Sequence, residues 1–140
     1  MSKLVWIVTL ATLTAAPFAV AQTAIPDLRG TWKGQSESIV WGAGNTHHTA
    51  TQSSEPELRS VAFTLTIDKQ DGRRFSGTFS SQRGSLKTIA VMSQNGTIHM
   101  VDVGGYTTGS MVALNQMELC YLKRSADGNI ASCTLLTKQP

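Results

Sequence analysis

The sequence predicts an all-β fold, an eight-stranded antiparallel up-and-down barrel, with a two-sheet β-sandwich as the alternative. Three observations predict it. After Ser60, four glycine-centred turn signals (Asp71-Gly72, Asn95-Gly96, Gly104-Gly105 and Asp127-Gly128) punctuate the chain. Between them lie short runs in which apolar and polar residues alternate, the period of a strand with one buried face. No stretch shows helical periodicity over a useful length. Asx-Gly and Gly-Gly pairs supply the positive φ of tight hairpins, because glycine has no Cβ to clash and Asn or Asp tolerates the left-handed region. Sequential antiparallel strands with short turns favour up-and-down order, and closing the sheet removes its edges.

Residues 1–21 read as a secretory signal peptide. Lys3 supplies a positive start, Leu4 to Val20 is almost continuously apolar or small, and Ala19-Val20-Ala21 fits small-x-small cleavage,. A membrane anchor is the competing reading, but the apolar stretch is short and carries Thr9, Thr12 and Thr14. No later run approaches the roughly 18 apolar residues of a spanning helix. Residues 22–140 are then a single β-barrel domain, expected in the periplasm or secreted.

Gln22 to Asp27 is a polar leader in which Pro26 holds the chain extended and blocks a helix,. The first strand begins near Leu28 and runs through Trp32 to Trp41, with Gly30 and Gly34 marking a bulge or bend,. Gly42 to Glu57 is rich in Gly, Ser, Thr, Asn and Gln and is the longest candidate for an unstructured connection. Loops of that length are uncommon in compact domains unless functional or disordered, which ranks it first for a binding or gating role.

The clearest strand follows: Val61, Phe63, Leu65 and Ile67 alternate with Ala62, Thr64, Thr66 and Asp68. Phe75, Gly77 and Phe79 then alternate with Ser76, Thr78 and Ser80, giving one aromatic face and one hydroxyl face. Leu86 to Met92, Thr97 to Val103, Tyr106 to Ala113, Met117 to Arg124 and Ile130 to Lys138 complete eight strands. Cys120 and Cys133 flank the last turn, and export would place them where a disulfide persists,. A two-residue Asp-Gly turn would pair Cys120 with Leu135. A four-residue loop, Ser125 to Gly128 with Gly128 left-handed, sets the cysteines opposite one another and is favoured. Closing so short a loop contributes about 3 kcal/mol.

The formal charge is +3, and the basic residues are scattered, with Arg73-Arg74 and Lys123-Arg124 as doublets beside turns. A nucleic-acid surface needs a clustered basic stripe with stacking aromatics, so that class is excluded. No nucleophile, base and acid set is legible, and no serine sits in a Gly-x-Ser-x-Gly elbow. No catalytic residue, cofactor or metal ligand is assigned, and the protein is not expected to be an enzyme. His47-His48, near Glu55 and Glu57, reads as a solvated loop pair rather than a metal site, because a zinc site usually shows defined spacing on rigid elements. His99 reads as a hydrogen-bonded surface residue, and Asp102, near Tyr106, as a turn stabiliser.

Gly30-Thr31-Trp32 resembles the Gly-x-Trp opening shared by the avidin-like and lipocalin-like (calycin-type) small β-barrels. The stretch from Thr66-Ile67 through Gly77-Thr78-Phe79, across an Asp-Gly turn, resembles the second hairpin of the avidin-like barrels. The resemblance implies a barrel with Trp32 at its closed end. Avidins stack biotin on tryptophans of later strands, whereas here no tryptophan follows Trp41. Lipocalins add a helix, and no helix pattern occurs between the last strands here. The resemblance therefore concerns architecture.

An eight-stranded interior is either filled by side chains or holds one small ligand. Phe63, Phe75, Phe79, Met100 and Tyr106 are the candidate ligand-binding residues, since Phe and Met make adaptable apolar walls. The expected function is a non-enzymatic binding module for a small apolar or amphipathic ligand, with the Gly42 to Glu57 loop as lid. The alternative is a protein-interaction module. Small exported inhibitors of bacterial metalloproteases resemble this chain in size, barrel form and single disulfide. That likeness implies that Gln22 to Asp27, with Ala24 and Ile25 as apolar contacts, would reach a secreted or periplasmic protease.

Overall fold

A computed structural model describes residues 24–140; the expected signal segment lies outside the described residues. Nine strands follow in order: β1 Gly30–Gly42, β2 Glu57–Arg59, β3 Ala62–Asp71, β4 Arg74–Ser81, β5 Gly84–Met92, β6 Ile98–Asp102, β7 Gly105–Ala113, β8 Gln116–Arg124 and β9 Gly128–Lys138. Strands β3 to β9 each pair antiparallel with the next, and β1 pairs with both β3 and β9. The sheet thus closes on itself as an eight-stranded up-and-down barrel, and the sandwich alternative is set aside. The ninth strand, β2, was not expected. It extends the β3 edge, pairing Ser38 to Val40 of β1 beyond the point where β3 pairs Gly30 to Gln35.

Inward and outward positions alternate as the pleat requires. Phe63, Leu65 and Ile67 of β3, Phe75 of β4, Met92 of β5, Ile98 and Met100 of β6, and Met117 and Leu119 of β8 form one buried core with Trp32 and Leu136. The hydroxyls of Ser76, Thr78 and Ser80 share the opposite face of β4 from buried Phe75 and Gly77. Register slips at Ile67/Lys69 and Met111/Ala113 mark bulges in β3 and β7, devices that bend strands in closed sheets.

One end of the barrel is sealed. Trp32 is fully buried, and its Nε1–H donates to Leu28 O at 2.8 Å. Lys138 Nζ lies 5.4 Å from the indole centroid and donates to Asp27 O. Gln70 ties down the leader from the other side, accepting from Leu28 N at 2.7 Å and donating to Pro26 O at 2.8 Å. Ala24 and Ile25 are exposed there.

Turn chemistry matches the sequence at some tips and not at others. Gly72 and Gly96 take φ of 56° and 86°. Gln82-Arg83 and Leu114-Asn115 make turns without glycine and without positive φ. Cys120 and Cys133 are paired directly, Cα to Cα 4.0 Å, and joined by a disulfide. The loop between Arg124 and Asn129 has the expected four residues, closed by Ser125 N donating to Gly128 O. Gly128 does not take the expected left-handed conformation. Crowding explains the glycine instead: a Cβ there would lie 2.4 Å from Ala43 N and 2.7 Å from Trp41 O.

Candidate functional site

The other end of the barrel carries the β4–β5, β6–β7 and β8–β9 turns and the long β1–β2 connection. That connection is ordered and folds into the barrel mouth. Ala43 N donates to Asp127 O, Thr51 N to Gly42 O, and Trp41 Nε1 to Ser54 O. Glu57 Oε1 accepts from Gln52 N, and its carboxylate pairs with Arg59. The Arg59 guanidinium and these backbone N–H groups hold the Glu57 carboxyl below its ordinary range,.

Asn45 sets the tip. Its Oδ1 accepts from the backbone N–H of His47 at 2.9 Å and of His48 at 2.7 Å, an Asx turn,. Asn45 N also donates to His48 O. Gly44 is required by proximity, because a Cβ would stand 2.0 Å from His48 O. Lys123 Nζ donates to Gly44 O, and Asn45 Nδ2 to Tyr121 Oη at 3.3 Å, fastening the tip to β8.

The tip drives two imidazoles into the barrel. His47 and His48 are only 5% and 3% exposed, which overturns the expectation of a solvated pair. His47 stands edge-on to Phe63 and Phe79, with centroids 5.2 Å and 6.0 Å away. Its Nδ1 meets Ser81 Oγ at 2.9 Å, while its Nε2 is buried with no hydrogen-bond partner among the described residues. His48 Nε2 meets Ser38 Oγ at 3.0 Å. Burial is the main cause that lowers both imidazole pKa values, that of His48 to about 4,. The positive charges of Arg83 and Arg59 add to the effect on His48, and Asp102 opposes it on His47.

Behind His48 runs a buried hydroxyl chain. Ser36 Oγ lies 2.9 Å from Ser38 Oγ, which donates to Ser132 Oγ at 2.7 Å. Thr134 and Thr107 are also buried. One wall of the mouth, from β1 and β9, is thus hydroxyl-bearing; the facing wall is Phe63, Phe79, Leu86 and Met100. Between the walls and the tip a cavity of ≈ 30 Å³ is left, room for roughly two waters. Asp102 and Tyr121 complete its rim. Asp102 Oδ1 accepts from Gly104 N at 2.6 Å and Gly105 N at 3.1 Å, the expected turn role. Tyr121 Oη donates to Gly104 O, and burial raises its pKa.

Of the residues singled out by sequence, Phe63, Phe79 and Met100 meet at this cavity. Phe75 packs in the core, outside the cavity lining. Tyr106 faces outward from β7, 45% exposed, with its Oη 2.7 Å from His99 Nδ1. The pleat explains this: Thr107, the next residue, takes the inward place. His99 is a hydrogen-bonded surface residue, as expected. Sequence reasoning missed the polar wall. The signal was strand parity, since Ser36 and Ser38 share the parity of Trp32, and Ser132 and Thr134 that of Ile130 and Leu136.

Among the described residues, no group of three or more His, Cys, Asp or Glu converges as a metal site, and no helix is long and apolar enough to cross a membrane. A disulfide fits an oxidising, non-cytoplasmic environment,.

No protein-family model and no curated relative matches the sequence. Among solved structures, the chain is similar to the S-type phycobiliprotein lyase CPES from Guillardia theta. The TM-score is 0.46 with 12% sequence identity, over 81% of this chain and 89% of that one.

Proposed function

We propose that this protein is an exported, non-enzymatic binding barrel whose mouth takes a small amphipathic molecule when the loop of residues 43–56 swings out. The observation that carries the reading is His47 Nε2 at the loop tip, a buried hydrogen-bonding atom with no partner among the described residues, in a residue that lines a two-sided cavity. A buried polar atom left unpaired costs about 1–3 kcal/mol, a cost carried by the closed tip and removed when the loop opens to solvent. The two walls support an amphipathic occupant, with apolar surface against Phe63, Phe79 and Met100 and polar groups toward Ser132 and Thr134. The closed form has no room for such a molecule, so the loop acts as a lid.

Native mass spectrometry on protein purified from its own host tests this. A small molecule retained by the folded chain, and lost on denaturation, is the expected result. Consistently empty protein, with no thermal shift from a panel of small amphipathic molecules even after His47→Ala or His48→Ala, overturns it.

A further inference from the structure

The geometry points to a ligand class: a planar, uncharged nitrogen heterocycle that replaces the His48 imidazole on the hydroxyl wall. This inference rests on the binding-barrel reading above and adds the chemistry of the occupant.

The site already holds two such rings, both from its own chain. His48 has one ring nitrogen on Ser38 Oγ and its face tilted at 52° to Phe63, centroids 6.0 Å apart. His47 presents its plane at 84° to the same phenyl. The lid therefore behaves as a tethered pseudo-ligand. When it leaves, Ser38 and Ser81 lose their imidazole partners. Ser38 Oγ already gives its one proton to Ser132 Oγ, so toward the mouth it accepts, and a ring N–H suits it. The aromatic wall, with Phe63 and Phe79 centroids 4.7 Å apart and their planes tilted at 42°, offers ring faces and edges for such a ring to meet.

Charge narrows the class. No lysine or arginine lines the cavity among the described residues. Asp102 is its one carboxylate, already engaged with two backbone N–H groups. A carboxylate or phosphate drawn into this mouth would be a buried anion with no cation in the lining to pair it directly, Arg59 and Arg83 acting only from beyond it, which is costly,. A purely apolar guest would leave Ser38 and the hydroxyl chain facing hydrocarbon.

The test uses the protein with Gly44→Ala, whose Cβ would stand 2.0 Å from His48 O and so blocks lid closure without altering the wall, and with His48→Ala, which vacates the ring position. Imidazole and uracil serve as heterocyclic probes, toluene as the apolar planar control and octanoate as the anionic control. Binding is read by thermal shift and by NMR perturbation of Phe63 and Phe79. Both heterocycles are expected to bind both variants, and Ser38→Ala added to His48→Ala is expected to weaken them roughly tenfold. Toluene or octanoate binding more tightly than the heterocycles, or no loss with Ser38→Ala, overturns the ligand class and leaves the binding barrel standing. Failure of every probe on both folded variants overturns both.

Discussion

Asn45 Oδ1 accepts a 2.7 Å hydrogen bond from the backbone N–H of His48, so the residue that turns the lid also aims the imidazole into the barrel. Asn45→Ala removes this bond and its 2.9 Å companion from His47 N. The expected result is faster amide hydrogen exchange at His47 and His48 with the strand amides unchanged, a loss of about 1–3 kcal/mol confined to the closing of the loop. Unchanged exchange at both histidines would show that the rest of the loop holds the tip without the Asx turn.

Gly44→Ala acts on the same lid by a different route. The new Cβ would stand 2.0 Å from His48 O and 2.7 Å from Thr49 C, both backbone atoms that cannot rotate away. The lid should stay open, and the His47 and His48 ring protons, followed by NMR, should titrate near the ordinary histidine value instead of below it.

Lid closure should depend on pH in a defined direction. His48 titrates at about 4 when buried, against 6.5 when free, so the open form binds more protons between those values. Closure is fully favoured above about pH 6.5 and is lost as pH falls toward 4, by on the order of a hundredfold in the closed-to-open ratio. His47, Arg59, Arg83 and Asp102 all act on this pair of rings. A fluorescent label on Thr46, at the exposed outside of the tip, should report opening on acidification. His48→Gln should abolish most of that response.

The disulfide stabilises the fold without shaping the site. Cys120 and Cys133 oppose one another on the outward side of β8 and β9, with Leu119 and Thr134 turned inward beside them. Replacing both with serine should cost about 3 kcal/mol by restoring freedom to the unfolded chain. Denaturant unfolding measures that loss, and the His48 titration should be unmoved.

Trp32→Ala at the sealed end should cost about 3–5 kcal/mol, since the indole is fully buried and its N–H satisfies Leu28 O. Trp32→Phe keeps most of the packing but leaves that carbonyl unpaired, and should fall between the two in urea unfolding.

Strands were legible because burial of one face writes itself as period two, most plainly in Val61 to Ile67. The cysteine register was legible because loop length and pairing constrain each other. Two turns, Gln82-Arg83 and Leu114-Asn115, were legible only as breaks between alternating runs, because they need no positive φ and so carry no glycine signal. The site was harder to see. Phe63, Phe79 and Met100 were found as inward apolar residues, yet the same logic gave Tyr106, whose strand parity points it outside. His47 and His48 escaped because their burial comes from partners distant in the chain, Ser38, Ser81 and Phe63, which no local pattern in a polar loop reveals. The inward serines were masked in the same way, since Ile39 and Trp41 sit on the exposed side of β1, 45% and 50% accessible, and hydropathy alone would have turned that strand over.

The lid is fastened at both ends, at Ala43 by Asp127 and at Glu57 by the β2 pairing with β1. A ring held on so short a leash is an internal competitor, present at an effective concentration of order millimolar whatever the surroundings contain. A free molecule must outbid that standing occupancy, so the barrel would register how abundant its ligand is, with a threshold set by the strength of the tip's own grip.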